Sequence, residues 1–500
     1  MIAVIDFGSQ YTQLIARRVR ECGVYSEIFS CFIDRLDSAD LEGIILSGGP
    51  GSVYRTDIKV FRHFFHYDVP VLGICYGLQL AAQLFGGLVK QSKCREYGSA
   101  QLRIRKNLVF DGLPDTLNVW MSHGDRVIRI PPGAKIIAST DTVPVAGFQL
   151  KNFYGLQFHP EVRHTHFGIK IFKNFLFRVC HAKKSWSMGK FVDDKIKEIK
   201  EMVGGRRAIC AISGGVDSTV AGVIASRAIG KNLIGIFVDN GLLRYNEREE
   251  VVKNLKGRVN LRVVDAQNRF LNCLRNVVDP EKKRKIIGNE FIAIFEQEAR
   301  KIRDIEFLVQ GTLYPDVIES GKGIGPSTVI KSHHNVGGLP EKMDLKIIEP
   351  LRMLFKDEVR EIGRRLRLPK IFIERKPFPG PGLAVRIVGA VTKHRLEILR
   401  QADRILQEEA QRLKNYDDIW QIFAVLLTLG SVGVMGDKRT YESVCAIRAV
   451  QSEDGMTADW VRLPVEFLSR VSKRITNEVG GVNRVVFDIT SKPPATIEWE

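Results

Sequence analysis

Over the first 180 positions, apolar residues gather into short unbroken runs, with polar and glycine-rich stretches between them. Ile2 to Asp6, Gly43 to Leu46 and Val71 to Ile74 read as buried strands, while Leu14 to Arg20 and Leu78 to Phe85 repeat apolar positions at helical spacing. Buried strands alternating with amphipathic helices predict an α/β fold built on a parallel sheet. The polar stretch Lys183 to Lys190 interrupts the rhythm, and a helical period returns from Phe191 to Met202. The alternation then restarts with a strand over Arg207 to Ile212, a helix over Ser218 to Ile229 and a strand over Leu233 to Asp239. Farther along, Lys346 to Glu349 reads as a strand and Lys356-Asp357-Glu358 as the opening of a helix. The run Lys376 to Gly382 (KPFPGPG) stops regular structure, and a helix over Thr392 to Leu413 and a strand over Asn483 to Thr490 follow it. The most apolar stretch, Ile422 to Gly436, is expected to be a buried helix; it is too short to cross a bilayer as one.

These breaks divide the 500 residues into three expected units, 1–185, 186–375 and 376–500. The fold class expected is multidomain α/β, with a doubly wound second unit and an α+β third. Apolar residues at 44% and charged residues at 26% exclude a collagenous, low-complexity or disordered chain. Eight cysteines with no C-x-x-C pair fit neither a disulfide framework nor a structural zinc site. The opening run Ile2 to Ile5 has no basic residue before it and no cleavage pattern after it, so a cytoplasmic location is expected. A net charge of +18 invites a nucleic-acid reading, but the excess is spread along the chain without a dominant patch. Small anionic substrates fit such a surface as well, and neither a nucleic-acid partner nor a membrane is expected.

Cys75, in the run Gly73-Ile74-Cys75-Tyr76-Gly77, lies between a buried strand and a helix, where a sharp turn flanked by glycines exposes a nucleophile at the sheet edge. A cysteine here is by itself as well read as a small buried apolar residue. Two other segments favour chemistry. Ser47-Gly48-Gly49-Pro50-Gly51 follows a second strand and offers backbone N–H groups to an oxyanion. Tyr154 to Glu161 (YGLQFHPE) carries a strand into His159-Pro160-Glu161, an imidazole with a carboxylate two residues on. In the second unit Ser213, Gly214, Gly215, Val216, Asp217 and Ser218 join a strand to a helix, an anion cradle without the lysine of a Walker loop.

GICYG, SGGPGSV and QFHPE resemble the class I glutamine amidotransferases. That resemblance implies a thiol attack by Cys75 on a glutamine amide, proton transfer by His159 held by Glu161, oxyanion donors at Gly49 and Tyr76, and glutamine beside Gln79. SGGVDS resembles the N-type ATP pyrophosphatases, which implies ATP at residues 213–218 and at Asp239, entering with Mg²⁺ and leaving as AMP and pyrophosphate. Together with QGTLYPD, KSHHNVGG, KPFPGPG and the terminal KPPATIEWE, these motifs are similar over essentially the whole chain to the glutamine-hydrolysing GMP synthase family. That likeness implies amination of XMP to GMP through an adenylated intermediate. It implies XMP contacts at Arg284, Gln421, Arg484, Lys492, Ile497 and Glu498, and a lid containing Lys331, His333 and His334. It further implies ATP phosphates facing Lys356, a C-terminal dimerisation domain and a homodimer, and no tightly bound organic cofactor.

Taken singly, the cations read as surface charge, and the run Glu281 to Lys285 (EKKRK) is expected to be a solvated face. His333 and His334 have no partner at metal-ligand spacing. The alternative from another class is a tRNA-modifying enzyme with the same pyrophosphate loop. It would leave the first unit unexplained, and the chain carries no RNA-binding signature.

Overall fold

The computed structural model describes residues 1–36, 39–54, 57–319, 345–435, 438–452 and 457–500. Two compact units emerge among the described residues: 1–191 with 313–319, and 192–312 with 345–500.

The first unit is built on nine strands: β1 Ile2–Asp6, β2 Ser26–Ser30, β3 Gly43–Leu46, β4 Val71–Ile74, β5 Leu88–Ile104, β6 Thr116–Arg129, β7 Lys135–Ser139, β8 Gly147–Leu150 and β9 Phe153–Leu156. Their order is β2-β1-β3-β4-β9-β8-β7-β5-β6. The half from β2 to β9 is parallel, and its interior strands β1, β3, β4 and β9 are almost wholly buried, hence their unbroken apolar runs. The half from β9 to β6 is antiparallel. There β6 alternates buried and accessible positions, a weaker signal in the sequence.

Register decides where the strands of the parallel half end. Leu46 pairs with Gly73, and Ile74 pairs with Leu156, so β3, β4 and β9 finish level with one another on one side of the sheet. The helix Tyr76–Leu84 packs on this edge with its backbone in close approach at two glycines, besides the buried side chains of Leu78, Leu80 and Ala81. A Cβ on Gly77 would lie 2.6 Å from Leu46 O, and one on Gly73 would lie 2.7 Å from the Gly77 carbonyl carbon. Only hydrogen fits at either position. Phe7 locks the same corner with its ring edge-on to Phe61 at 5.1 Å and tilted against Tyr76 at 5.2 Å.

The second unit holds five parallel strands, β10 Arg207–Ala211, β11 Leu233–Asp239, β12 Leu261–Asp265, β13 Ile305–Val309 and β14 Lys346–Ile348, in the order β12-β11-β10-β13-β14. The chain turns back between β10 and β13, and a crevice opens at such a reversal beyond the carboxyl ends of the strands. A second sheet consists of β15 Ile387–Val388, β16 Gln421–Met435, β17 Lys438–Gln451, β18 Asp459–Trp460 and β19 Val482–Asp488. Its order is β15-β16-β17-β18, with β19 paired to β17.

Of the apolar stretch Ile422 to Gly436, the described residues, through Met435, are therefore strand and not the expected helix. Ile422, Ala424 and Leu426 pack toward the helix Lys393–Ala410, whereas Phe423 and Val425 face Ala446 on the other side. From Ile422 to Leu426, where both faces are covered, the run is continuously apolar, and period alone cannot separate it from a buried helix. Among the described residues no helix is long and apolar enough to cross a membrane. Residues of both sheets, Ile209 and Ile236 from one and Ala424 and Ile447 from the other, belong to one continuous core, so position 376 lies inside this unit.

Gly168 opens a helix of the first unit, Gly168–Asn174, beside the turn at Pro160, and a Cβ there would overlap the Pro160 carbonyl oxygen. Gly168→Ala is expected to lower the unfolding free energy by about 1–3 kcal/mol. Urea denaturation measures this; an unchanged midpoint would contradict the tight approach.

Candidate active site

Three successive loops of the first unit converge because β3, β4 and β9 end level. Cys75 is the N-cap of the helix Tyr76–Leu84, at φ 52° and ψ −99°, a left-handed conformation that L side chains rarely adopt. Its N–H donates to Leu156 O at 2.7 Å, tying the turn to the end of β9. The thiol contacts Ser122 O at 3.7 Å and receives Gln157 Nε2 at 3.6 Å. His159 leaves the same strand, with its N–H held by Trp120 O at 3.0 Å and its Nδ1 2.6 Å from Glu161 Oε1. Glu161 is fully buried, and its backbone carbonyl accepts from Arg18 Nε at 2.9 Å. From β3, the loop of Gly48 and Gly49 comes up beside His159 and Phe7: a Cβ on Gly48 would be 3.3 Å from His159 Cε1, and one on Gly49 2.8 Å from Phe7 O. Tyr76 follows Cys75 directly and is buried. Cys75, His159, Glu161, Gly49 and Tyr76 are thus brought together.

Gln79 lies one helical turn beyond Cys75. Its amide donates to Asp125 O at 2.9 Å and reaches Gln157 Oε1 at 3.4 Å, while the Asp125 carboxylate accepts from Ser52 Oγ at 2.6 Å and Tyr54 Oη at 2.9 Å. Gln157, Ser122 and Asp125 were not singled out from the sequence. Gln157 lies two positions before His159 in the recognised QFHPE run, which was the available signal; Ser122 and Asp125 lie on β6, where nothing local distinguishes them.

Two histidines of this site titrate in opposite directions. Burial opposes charge on His159, yet the Glu161 carboxylate and the Cys75 sulfur outweigh it and hold the imidazole well above its ordinary range. Burial, aided by the charge on His159, pushes His123 down to about 4, so it is neutral near pH 7. It stands 3.2 Å from Glu96, whose carboxyl burial pushes up. Divergent neighbours of this kind mark acid–base sites. The imidazolium of His159 is favoured by folding, so its pair with Glu161 stabilises the fold below the ordinary imidazole range. That contribution fades as pH rises through the elevated value.

In the second unit, the loop Ser213–Ser218 follows β10 at the reversal point. Gly214 has φ +78° and its carbonyl accepts from Arg375 Nη1 at 2.8 Å; a Cβ there would meet Val251 at 2.7 Å. Ser213 and Ser218 cross-link the loop through their hydroxyls at 3.0 Å, and Gly215 N donates to Ser213 Oγ at 3.3 Å. Val216 is buried and seats the helix Val216–Ile229, whose N-terminus faces the loop. Gly311, just after β13, packs against Asp217, where a Cβ would come within 2.9 Å of its carbonyl carbon. Lys356 pairs with Asp217 Oδ2, and Asp217 Oδ1 is buried without a partner. Asp239, at the end of β11, is committed to neighbours: Gly241 N at 3.0 Å, Gln267 Nε2 at 2.8 Å and Arg248 Nε at 3.1 Å.

The residues expected around XMP are gathered only in part. Gln421, Ile497 and Glu498 lie together at the start of β16: Ile497 packs on the cluster of Phe423 and Val425, and Glu498 is gripped by Arg386 through Nε at 3.0 Å and Nη2 at 2.9 Å. Arg284 donates to the Glu500 carbonyl. Lys492 pairs through its backbone with Ala458, its N–H donating to the carbonyl at 2.7 Å. Arg484 is elsewhere. It donates to Ser431 Oγ at 2.8 Å, and its register through Val444 sets it opposite Leu427. That is about 20 Å along β16 from Gln421 at the usual strand rise. Lys331, His333 and His334 lie outside the described residues.

The run Glu281 to Lys285 is not simply the expected solvated face: Lys283 is fully buried and donates to Ala384 O at 3.2 Å, Ile387 O at 2.8 Å and the Glu500 carboxylate. Helical period turns this one position of the run inward. Arg448 is likewise fully buried and holds the same tail, donating to Thr496 O at 3.1 Å and pairing with Asp488 at 3.2 Å. Arg386 and Arg448 were missed from the sequence, although each stands alone inside an apolar run, LAVRIV and CAIRAV, and that isolation was the available signal.

Residues 3–179 match the family model for class I glutamine amidotransferases, and residues 408–499 match the model for the GMP synthase C-terminal domain. The chain is 56% identical over 506 residues to the glutamine-hydrolysing GMP synthase of Aquifex aeolicus, covering 100% of this chain and 99% of that one. It is 56% identical over 504 residues to the protein of the same description from Thermotoga maritima, covering 100% of both.

Because Glu161 supplies the charge that overcomes burial at His159, Glu161→Gln should move the imidazole titration downward and leave the ring neutral near pH 7. NMR titration of the His159 ring resonances reads the shift; an unmoved midpoint would remove Glu161 from this role.

Proposed function

Because the chain belongs to the glutamine-hydrolysing GMP synthase family, we propose that it carries out glutamine-dependent amination of XMP to GMP, with the labour divided between its two ends. The observation that carries this reading is the pairing, in one chain matched along its whole length, of a thiol–imidazole–carboxylate set with a phosphate-shaped loop at a sheet reversal. Residues 1–185 form the amidotransferase, 186–375 the adenylating part and 376–500 the part that completes the XMP site and dimerises.

The Cys75 thiolate attacks the glutamine side-chain amide, and the amides of Gly49 and Tyr76 take the charge that develops on its oxygen. The His159 imidazolium, held by Glu161, protonates the leaving nitrogen, which departs as ammonia. The neutral imidazole then removes a proton from water, which cleaves the thioester to glutamate and regenerates the thiolate. Gln79 supports the pocket in which glutamine lies.

ATP enters as its Mg²⁺ complex, with the β and γ phosphates against the backbone of residues 213–218 and the helix N-terminus, and the adenosine side toward Asp239. The unpartnered carboxylate oxygen of Asp217 would be a ligand for the Mg²⁺ that enters with ATP, and Lys356 would shift from Asp217 toward the phosphates. A carbonyl oxygen of XMP attacks the α-phosphorus and pyrophosphate leaves. Ammonia adds to the activated carbon and AMP departs, leaving GMP. Gln421, Ile497 and Glu498 receive the base, and Arg284 and Lys492 supply cations for the 5′-phosphate.

The active species is a homodimer in the cytoplasm, without a tightly bound organic cofactor. Support for the dimer comes from the distal part of β16 and β17, where Leu429, Val434 and Tyr441 are 70%, 76% and 70% exposed, more apolar surface than a free strand edge normally presents. Arg484, distant from Gln421 on its own chain, would then reach the XMP site only from a second copy. No specific observation favours the tRNA-modifying alternative.

Cys75→Ala should reduce glutamine-supported GMP formation by about 10⁴-fold or more while leaving ammonium-supported formation within a few-fold of the wild type. Mass spectrometry of the products identifies AMP rather than ADP in the second case. Loss of both activities in a folded variant, or release of ADP, would overturn the scheme.

A further inference from the structure

Arg386 occupies an unusual position at the start of the second sheet. It is fully buried, its guanidinium lies 3.9 Å from the Phe423 ring centroid and 5.1 Å from that of Phe378, and two of its nitrogens are spent on Glu498. The remaining nitrogen, Nη1, is buried and has no hydrogen-bond partner. Gln421 repeats the situation with opposite polarity: its Nε2 donates to Pro377 O at 2.9 Å, and its Oε1 is buried and unpartnered. Gln421 and Phe423 alternate on one face of β16, and Pro377 and Phe378 are consecutive, so the orphan donor and the orphan acceptor border the same aromatic patch, beside Ile497. Buried polar atoms are almost always paired, and a donor and an acceptor left open at one place ask for a ligand offering both complements.

A buried ion pair such as Arg386 with Glu498 adds little stability over an apolar filling of the same space. It does fix the guanidinium plane, and with its charge neutralised the free edge suits an uncharged carbonyl. An oxopurine has carbonyl oxygens adjoining ring N–H groups. Adenine has no carbonyl and would leave Nη1 open. Resting on the reading that this chain binds XMP, we propose that Arg386 is a further recognition residue for its base, with Nη1 donating to a ring carbonyl and Gln421 Oε1 accepting from a ring N–H. The pair then selects an oxopurine over an aminopurine at this site.

The test measures XMP and AMP binding to the full-length protein by calorimetry, alongside KM values in ammonium-supported turnover. Arg386→Lys keeps the cation beside Glu498 but withdraws the fork. It should weaken XMP binding and raise its KM by about 10- to 100-fold, leave the KM for ATP within about twofold, and shrink the preference for XMP over AMP. Unchanged XMP affinity and preference in the folded variant would overturn the proposal. If circular dichroism shows that Arg386→Lys does not fold, Gln421→Leu, which leaves the ion pair intact, carries the same expectation and the same overturning result. A wild-type protein that binds XMP but forms no GMP would refute the function while leaving this inference standing.

Discussion

The level finish of β3, β4 and β9 is the constraint on which the first unit depends. Parallel strands share a direction, so whatever follows them emerges on one side, and pairing of Leu46 with Gly73 and Ile74 with Leu156 sets three loops at one height. Cys75, the Gly48-Gly49 loop and His159 then meet without any element being bent to reach. The strained φ of Cys75 is tolerable because its N–H is tied to β9 and because Gly73 and Gly77 let the following helix sit directly on the strand backbone. Shifting one register would separate the thiol from the imidazole even if every side chain stayed the same.

In the second unit a comparable geometry gathers backbone groups instead of a thiol and an imidazole. The loop after β10 and the glycine after β13 face each other where the strand order reverses, so backbone N–H groups and a helix N-terminus converge on one spot. The chain's last eleven residues are held differently. Lys283, Arg386 and Arg448, all fully buried, grip that tail through carbonyls and carboxylates. Such pairs act chiefly on geometry, because desolvation offsets most of their attraction. The tail is thereby held against the sheet rather than left to fray.

Much of this organisation could be read before any coordinates. The strands expected at Ile2 to Asp6, Gly43 to Leu46, Val71 to Ile74 and Leu233 to Asp239 occur at those bounds, because strands buried on both faces write unbroken apolar runs and glycines punctuate their ends. The antiparallel half of the first sheet was not anticipated, since its partly accessible strands leave only an alternating trace. β16 was mistaken for a helix because both of its faces are covered from Ile422 to Leu426, and the inward turn of Lys283 was hidden by its charged neighbours.

What the amino-acid order determined alone was local: which turns carry a thiol, an imidazole or a phosphate cradle, since these rest on glycine conformations and on residues a few positions apart. Tertiary structure decided which distant residues meet. Glu498 found Arg386 across 112 positions, while Arg484 came to rest far from Gln421 on its own chain. Strand register and burial set those outcomes, and both depend on the summed packing of the whole core, which no short window of sequence contains.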